Sequence, residues 1–296
     1  LTPLRLSSGS PILGWLDSDT ETVPSEEVEM SLSGKRALIT GSSRGIGRGI
    51  ALKLAEEGAR IAVHYFQNEA AAQDTLAQVR ERGSDGLVVQ ADVLRGDEFG
   101  RMFEQVHAEF GGLDIFVSNA RPELPAFFSG PMDITPEQWD AAFDSQAKAF
   151  VFGARAAAQA MPDGGRIVAV TYAAGSRTGG LQPWVAMGSA KAAMESAVRY
   201  VAVALAKRGI TVNSVSPSWT EDSVLNTLPE AAQDLIRGWH QRGWTPMGRL
   251  ATPSDVGNVV ALLCSEDASF ITGQLIMVDG GASLMNAEVP PEIQLG

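Results

Sequence analysis

The chain has 296 residues, 45% hydrophobic and 20% charged, enough for one large core and without any apolar run of the ~18 residues that span a bilayer. A formal net charge of −12 without a Lys/Arg stripe excludes a nucleic-acid surface, because phosphates would be repelled. Cys264 is the single cysteine, which excludes an internal disulfide. The only histidines, His64, His107 and His240, are far apart; no metal site is expected, and a reducing, cytoplasmic setting fits.

Residues 1–29 are rich in Ser, Pro, Asp and Glu and show no period, so they read as an irregular arm with a small apolar patch around Trp15. Their acidity and lack of a basic start argue against a targeting peptide. Residues 30–296 read as one domain in which short apolar runs alternate with helical patterns. Ala37–Ile39 is a strand, and a helix follows from Ile46 to Glu57, stopped by Gly58. The strand Arg60–Tyr65, the helix Glu69–Arg82, the strand Leu87–Val89 and the helix Glu98–Phe110 come next. Then come the strand Ile115–Val117, one long helix near Pro136–Met161 and the strand Arg166–Val170. A helix around Ala190–Arg208 leads to the strand Thr211–Val215, a long loop, a helix from Ser254 and the strand Leu275–Val278. Continuous apolar strands separated by helices predict a doubly wound, seven-stranded parallel sheet with helices on both faces.

The turn after the first strand reads Thr40-Gly41-Ser42-Ser43-Arg44-Gly45-Ile46-Gly47. Glycine permits a tight turn and close approach of backbone N–H groups to a diphosphate, and the helix start adds partial positive charge. This strand–turn–helix placement makes Gly41, Ser43, Arg44, Gly45, Ile46 and Gly47 candidate dinucleotide ligands. An acid ending the second strand would accept the ribose hydroxyls of NAD and repel a 2′-phosphate. Here that position reads His64-Tyr65-Phe66-Gln67-Asn68, and Ser43 and Arg44 can meet a phosphate, so NADP(H) is favoured over NAD(H).

These residues resemble the short-chain dehydrogenase/reductase family over about residues 31–285, which implies a Rossmann-type fold. Thr40–Gly47 is similar to the family's cofactor turn, with Tyr65 on the adenosine side, and Asp92-Val93 resembles the pair that contacts adenine. Ser118-Asn119-Ala120-Arg121 resembles the N-N-A-G motif, with Ser for the first Asn and Arg for Gly; Asn119 and Ala120 would border the cofactor. Pro217-Ser218-Trp219-Thr220 sits where the family has P-G-x-x beside the nicotinamide, which implicates Pro217 and Thr220. Gly273-Gln274 and Val278–Gly281 resemble the closing strand, which in the family is part of a tetramer interface, so a homotetramer is implied. Met187–Ala193, Arg199–Ala202 and Thr171-Tyr172 resemble the enoyl-thioester (enoyl-acyl-carrier-protein) reductase branch, with its link to fatty acid biosynthesis.

The resemblance implies a Tyr four or seven residues before Lys191, whose ammonium lowers the phenol's pKa and holds the ribose. Here those positions read Met187 and Trp184, the usual Ser position reads Tyr172, and the usual Asn reads Gln146. Methionine has no proton to give, and an indole N–H donates a hydrogen bond but is no acid near neutral pH. Tyr172, leaving the fifth strand at its ligand-binding end, is the candidate phenol; Lys191 would hold the ribose and Trp184 add a hydrogen bond. Aromatic density in Trp219–Trp244 and at Phe127 and Phe128 suits an apolar small molecule or acyl thioester under a mobile lid. Three functions stay open: enoyl-thioester reduction with NADPH, ketone reduction or alcohol oxidation on an apolar substrate, and dinucleotide binding without catalysis.

Overall fold

A computed structural model of the chain describes residues 32–172, 180, 181, 183–285, 288 and 290–294. The expected arm at 1–29, with Trp15, lies outside the described residues. Seven parallel strands form one sheet: β1 (Arg36–Ile39), β2 (Arg60–Tyr65), β3 (Gly86–Gln90), β4 (Ile115–Ser118), β5 (Arg166–Val170), β6 (Thr211–Pro217) and β7 (Leu275–Val278). Their order is β3-β2-β1-β4-β5-β6-β7. The sheet grows one way from β1 to β3 and the other way from β4, so the β1/β4 seam, where Leu38 pairs with Phe116, is the switch point. Sheets of this kind bind ligands in the crevice outside the C-terminal strand ends at that point.

Both faces are covered. On one, α1 (Gly45–Glu56), α2 (Glu69–Glu81) and α8 (Pro253–Cys264) bury Ile50, Leu54, Leu76, Val79, Val256 and Val260 against Ile39, Val63 and Val117. On the other, α3 (Gly96–Phe110), α5 (Ala149–Ala160) and α6 (Val185–Leu205) bury Phe99, Phe103, Phe150, Met194 and Val198 against Leu38, Phe116 and Ile167. Alternation of Ile39 and Leu38 between the two cores is the period-2 geometry of a strand buried on both sides. Each such large side chain contributes roughly 1.5–3 kcal/mol of burial.

Three elements differ from the sequence expectation. The helix near Pro136–Met161 is α4 (Pro136–Phe143) and α5 joined by a π turn over Asp144–Lys148. Thr135 and Gln138 close a capping box at the start of α4. The helix expected around Ala190 begins at Val185, which brings Trp184 and Met187 onto its first turn. The long segment Trp219–Trp244 contains α7 (Glu230–Trp239), followed by a π turn to Trp244. Pro229 and the polar residues Glu230 and Gln233 hide this helix; its apolar face reduces to Leu235, Ile236 and Trp239. Among the described residues no helix is long and apolar enough to cross a membrane.

Candidate active site

The glycine turn is fixed from three sides. From β2, His64 Nδ1 accepts the Gly41 N–H at 2.8 Å, and its carbonyl accepts the Ser42 N–H at 3.0 Å. The His64 Nε2–H then donates to the Ala91 carbonyl at 3.1 Å, which ties β2 to the end of β3. Burial lowers the His64 pKa to about 4, against the opposing pull of the Ala91 carbonyl, so the ring stays neutral and keeps an acceptor nitrogen for Gly41. From β4, the Asn119 and Ala120 N–H groups donate to Thr40 Oγ1 at 2.9 and 3.1 Å. The Asn119 amide donates to the carbonyls of Thr40 and Gly41 at 2.9 and 3.1 Å. From α1 and α2, Arg48 and Thr75 donate to the Ser43 carbonyl at 2.8 and 3.1 Å.

The glycines answer this crowding. Gly41 has φ +66°, and a Cβ there would lie 2.9 Å from Ala120 Cα. A Cβ on Gly47 would overlap the Gly41 carbonyl. Ile46 lies partly buried on the core below. At the N-terminus of α1 the Arg44 side chain makes no cap, and the first turn, Gly45 to Gly47, holds no acid. Its N–H groups are therefore available to an anion, and a diphosphate fits this donor set.

The adenosine end is less open than the sequence implies. Tyr65 is 8% exposed, with its ring in the core under α1 and α2. Its phenol is pushed up in pKa, first by burial and then by Glu69. Arg44 stays at the surface, paired with Glu123 at 2.6 Å. Asp92 shapes the turn after β3: its Oδ1 accepts from Leu94 N at 3.0 Å, while Val93 packs on the core.

At the other end, Lys191 on α6 is buried and donates from Nζ to the Val170 carbonyl at 2.5 Å. Burial, and then the Arg121 guanidinium, lower its pKa to about 7, while the Glu195 carboxylate opposes the fall. Met187 and Trp184 are buried on the same helix. Tyr172 stacks on Trp184 at 5.7 Å between ring centroids, and burial pushes its phenol up to about 12. Trp184 also meets Phe127 at 5.2 Å, Phe128 at 5.9 Å and Trp219 at 6.3 Å, so it is the centre of an aromatic wall. Pro217 ends β6, and the buried Thr220 hydroxyl donates to the Ser218 carbonyl at 3.0 Å, anchoring the segment that carries Trp219.

Two polar side chains acquire a place that the sequence reading left as mere departures from a motif. Gln146, in the π turn, is buried; its Nε2 donates to the Ala120 carbonyl at 3.1 Å, while its Oε1 has no partner among the described residues. Arg121 follows the end of β4; its guanidinium charge acts on Lys191, and burial lowers its own pKa while Glu123 opposes the fall. The spacing of Asn119 and Arg121 from the glycine turn was visible; the convergence of Arg121 and Lys191 needed the sheet order.

An anion-binding glycine turn and a buried lysine at opposite ends of a switch-point crevice define a dinucleotide-binding α/β protein. A family model described as Enoyl-(Acyl carrier protein) reductase matches residues 41–283. A hydroxynaphthalene reductase-like protein of Metarhizium brunneum is 36% identical over 266 residues, covering 87% of this chain and 98% of that protein. A 1-cyclohexenylcarbonyl-CoA reductase of Streptomyces collinus is 37% identical over 250 residues, covering 84% of this chain and 87% of that protein. The crystal structure of the angucycline C-6 ketoreductase LanV with bound NADP superposes with a TM-score of 0.77 at 36% identity, covering 86% of this chain and 98% of that one. The chain belongs to the short-chain dehydrogenase/reductase family and is an oxidoreductase of that type.

Proposed function

We propose that the protein is an NADP(H)-dependent reductase whose preferred substrate is an apolar α,β-unsaturated carbonyl compound of the enoyl-thioester kind. Bound NADPH supplies the hydride. The residues fit it: the α1 N-terminus and glycine turn would hold the diphosphate, Ser43 and Arg44 the 2′-phosphate, and Lys191 the nicotinamide ribose. Support for NADP(H) comes also from LanV, whose structure holds NADP.

One observation carries the choice of substrate. Met187, not a phenol, stands four residues before Lys191 on the same face of α6, so no acid is coupled to the lysine there. Hydride addition to the β-carbon of an enoyl thioester leaves an enolate, which can take its proton from water and asks the protein mainly for charge stabilisation. Tyr172, still protonated at neutral pH because burial holds it near 12, donates its O–H to the carbonyl oxygen. Trp184, Trp219 and Phe127 hold the apolar part and exclude water. The family description and the Streptomyces collinus relative support this reading.

A second reading, reduction of a ketone on a flat polycyclic substrate, is favoured by the Tyr172–Trp184–Trp219 wall and by LanV. NADPH absorbance followed with crotonyl and acetoacetyl thioesters and a polycyclic ketone separates the two. Consumption with the crotonyl compound supports enoyl reduction; consumption only with a ketone moves the assignment to the second reading. Tyr172→Phe is expected to lower kcat about 100-fold with NADPH affinity unchanged. Unchanged turnover removes Tyr172 from the chemistry.

The homotetramer implied by the resemblance belongs to this proposal. Phe152 on α5 and Tyr200 and Val203 on α6 are exposed at 45%, 78% and 79%, which supports a subunit contact there.

A further inference from the structure

We infer that Arg121 is an additional binding residue of this site, a fixed cation for the diphosphate bridge of the dinucleotide midway between the glycine turn and Lys191. The inference rests on the dinucleotide reading above.

Placement comes first. Arg121 follows Ala120, whose N–H is bound to Thr40 Oγ1 and whose Cα lies against Gly41. The side chain therefore starts beside the phosphate-binding turn, on the strand across the switch point. Its own segment reaches the adenosine end, since Glu123, two residues on, pairs with Arg44 at 2.6 Å, and its charge acts on Lys191 toward the other. A dinucleotide laid from Arg44 to Lys191 has its adenosine phosphate at one end, its nicotinamide ribose at the other and its diphosphate between them.

The charge balance comes second. Among the described residues Arg121 is in no ion pair, and its guanidinium donates to the Pro122 carbonyl at 2.9 Å. Arg44, by contrast, is held by Glu123. Burial lowers the Arg121 pKa, and the Glu123 carboxylate, already paired with Arg44, offsets that fall only in part, so the desolvated cation is costly. In a chain of net charge −12 this guanidinium is left available beside an uncapped helix N-terminus. A doubly charged diphosphate bound at the switch point would offset both at once. Arginine suits the task because its planar fork binds phosphate oxygens in pairs. The Gly that the family motif has at this position supplies no charge.

Calorimetry with NADPH and NADH at several salt concentrations tests this on wild type, Arg121→Gln, Arg121→Lys and Arg44→Gln. Arg121→Gln is expected to weaken both dinucleotides by the same factor, about tenfold, and to flatten the salt dependence. Arg121→Lys recovers part of the loss, which separates lost charge from lost fold, and an unchanged unfolding midpoint checks the same point. Arg44→Gln weakens NADPH alone, since only that cofactor has the 2′-phosphate. Unaltered affinity for both dinucleotides in Arg121→Gln, with a raised KM for the carbonyl substrate, assigns Arg121 to the substrate and overturns the inference. A loss confined to NADPH overturns it too. If wild type binds neither dinucleotide, the reading beneath it fails first.

Discussion

At the scale of single residues, the titration of Lys191 governs the site. Burial and Arg121 depress its pKa to about 7, with Glu195 opposing, so the ammonium form prevails below that value and the neutral amine above it. In the proposed function ribose binding and charge stabilisation would need the ammonium, so kcat/KM is expected to fall as pH rises through about 7. Arg121→Gln removes a repelling charge and should move this limb to higher pH; Glu195→Gln removes an attracting one and should move it lower. A pH–rate profile of the three proteins checks the signs, and a limb that stays put in both variants detaches it from Lys191. Lys191 was legible in the sequence because the run Met187 to Ala193 carries it. Arg121 was legible only as an oddity, since no spacing shows that a guanidinium lacks an acidic partner. Tyr172 and Trp184 are legible separately; their stacking arises because Tyr172, just past the end of β5, and Trp184, at the start of α6, meet in space.

At the scale of elements, the glycine turn depends on a histidine that the sequence reading used only as the absence of an acid. Strands and most helices were legible because buried parallel strands are continuous apolar runs and each helix repeats an apolar face. The π turn was not, since the one-residue slip it makes in the apolar stripe falls in the short run Asp144–Lys148, yet it sets the Gln146 amide on the Ala120 carbonyl. His64 joins β1, β2 and β3 through Gly41 and Ala91, and it does so only when neutral. Its folded pKa of about 4 lies below the ordinary 6.5, so the unfolded chain takes up a proton first. The stability His64 supplies is complete above pH 6.5 and is lost as pH falls toward 4, a change of about 3 kcal/mol. Urea unfolding at a series of pH values across that window should show the loss, and His64→Gln should flatten it. Asp255, held far below the usual carboxylate range first by Arg249, acts only at lower pH and leaves the window clear.

At the scale of the whole molecule, two cores on opposite faces of one sheet account for nearly all the apolar residues the sequence marks as periodic. What they do not absorb is informative. Phe152 projects from α5 and Tyr200 and Val203 from α6, on helices whose other faces already fill the core with Phe150, Met194 and Val198. Apolar residues at such exposure cost little singly, but a cluster of them on adjacent helices is maintained against solvent only if something covers it. In the proposed homotetramer this face would pair with its own copy around a twofold axis to give a dimer, and a second interface would join two dimers. Light scattering on the wild-type chain is expected to give four times the monomer mass. Phe152→Glu with Tyr200→Glu should lower that mass while leaving NADPH affinity intact, because both residues lie away from the crevice. A wild-type chain that runs as a monomer at micromolar concentration would show that the face serves some other contact.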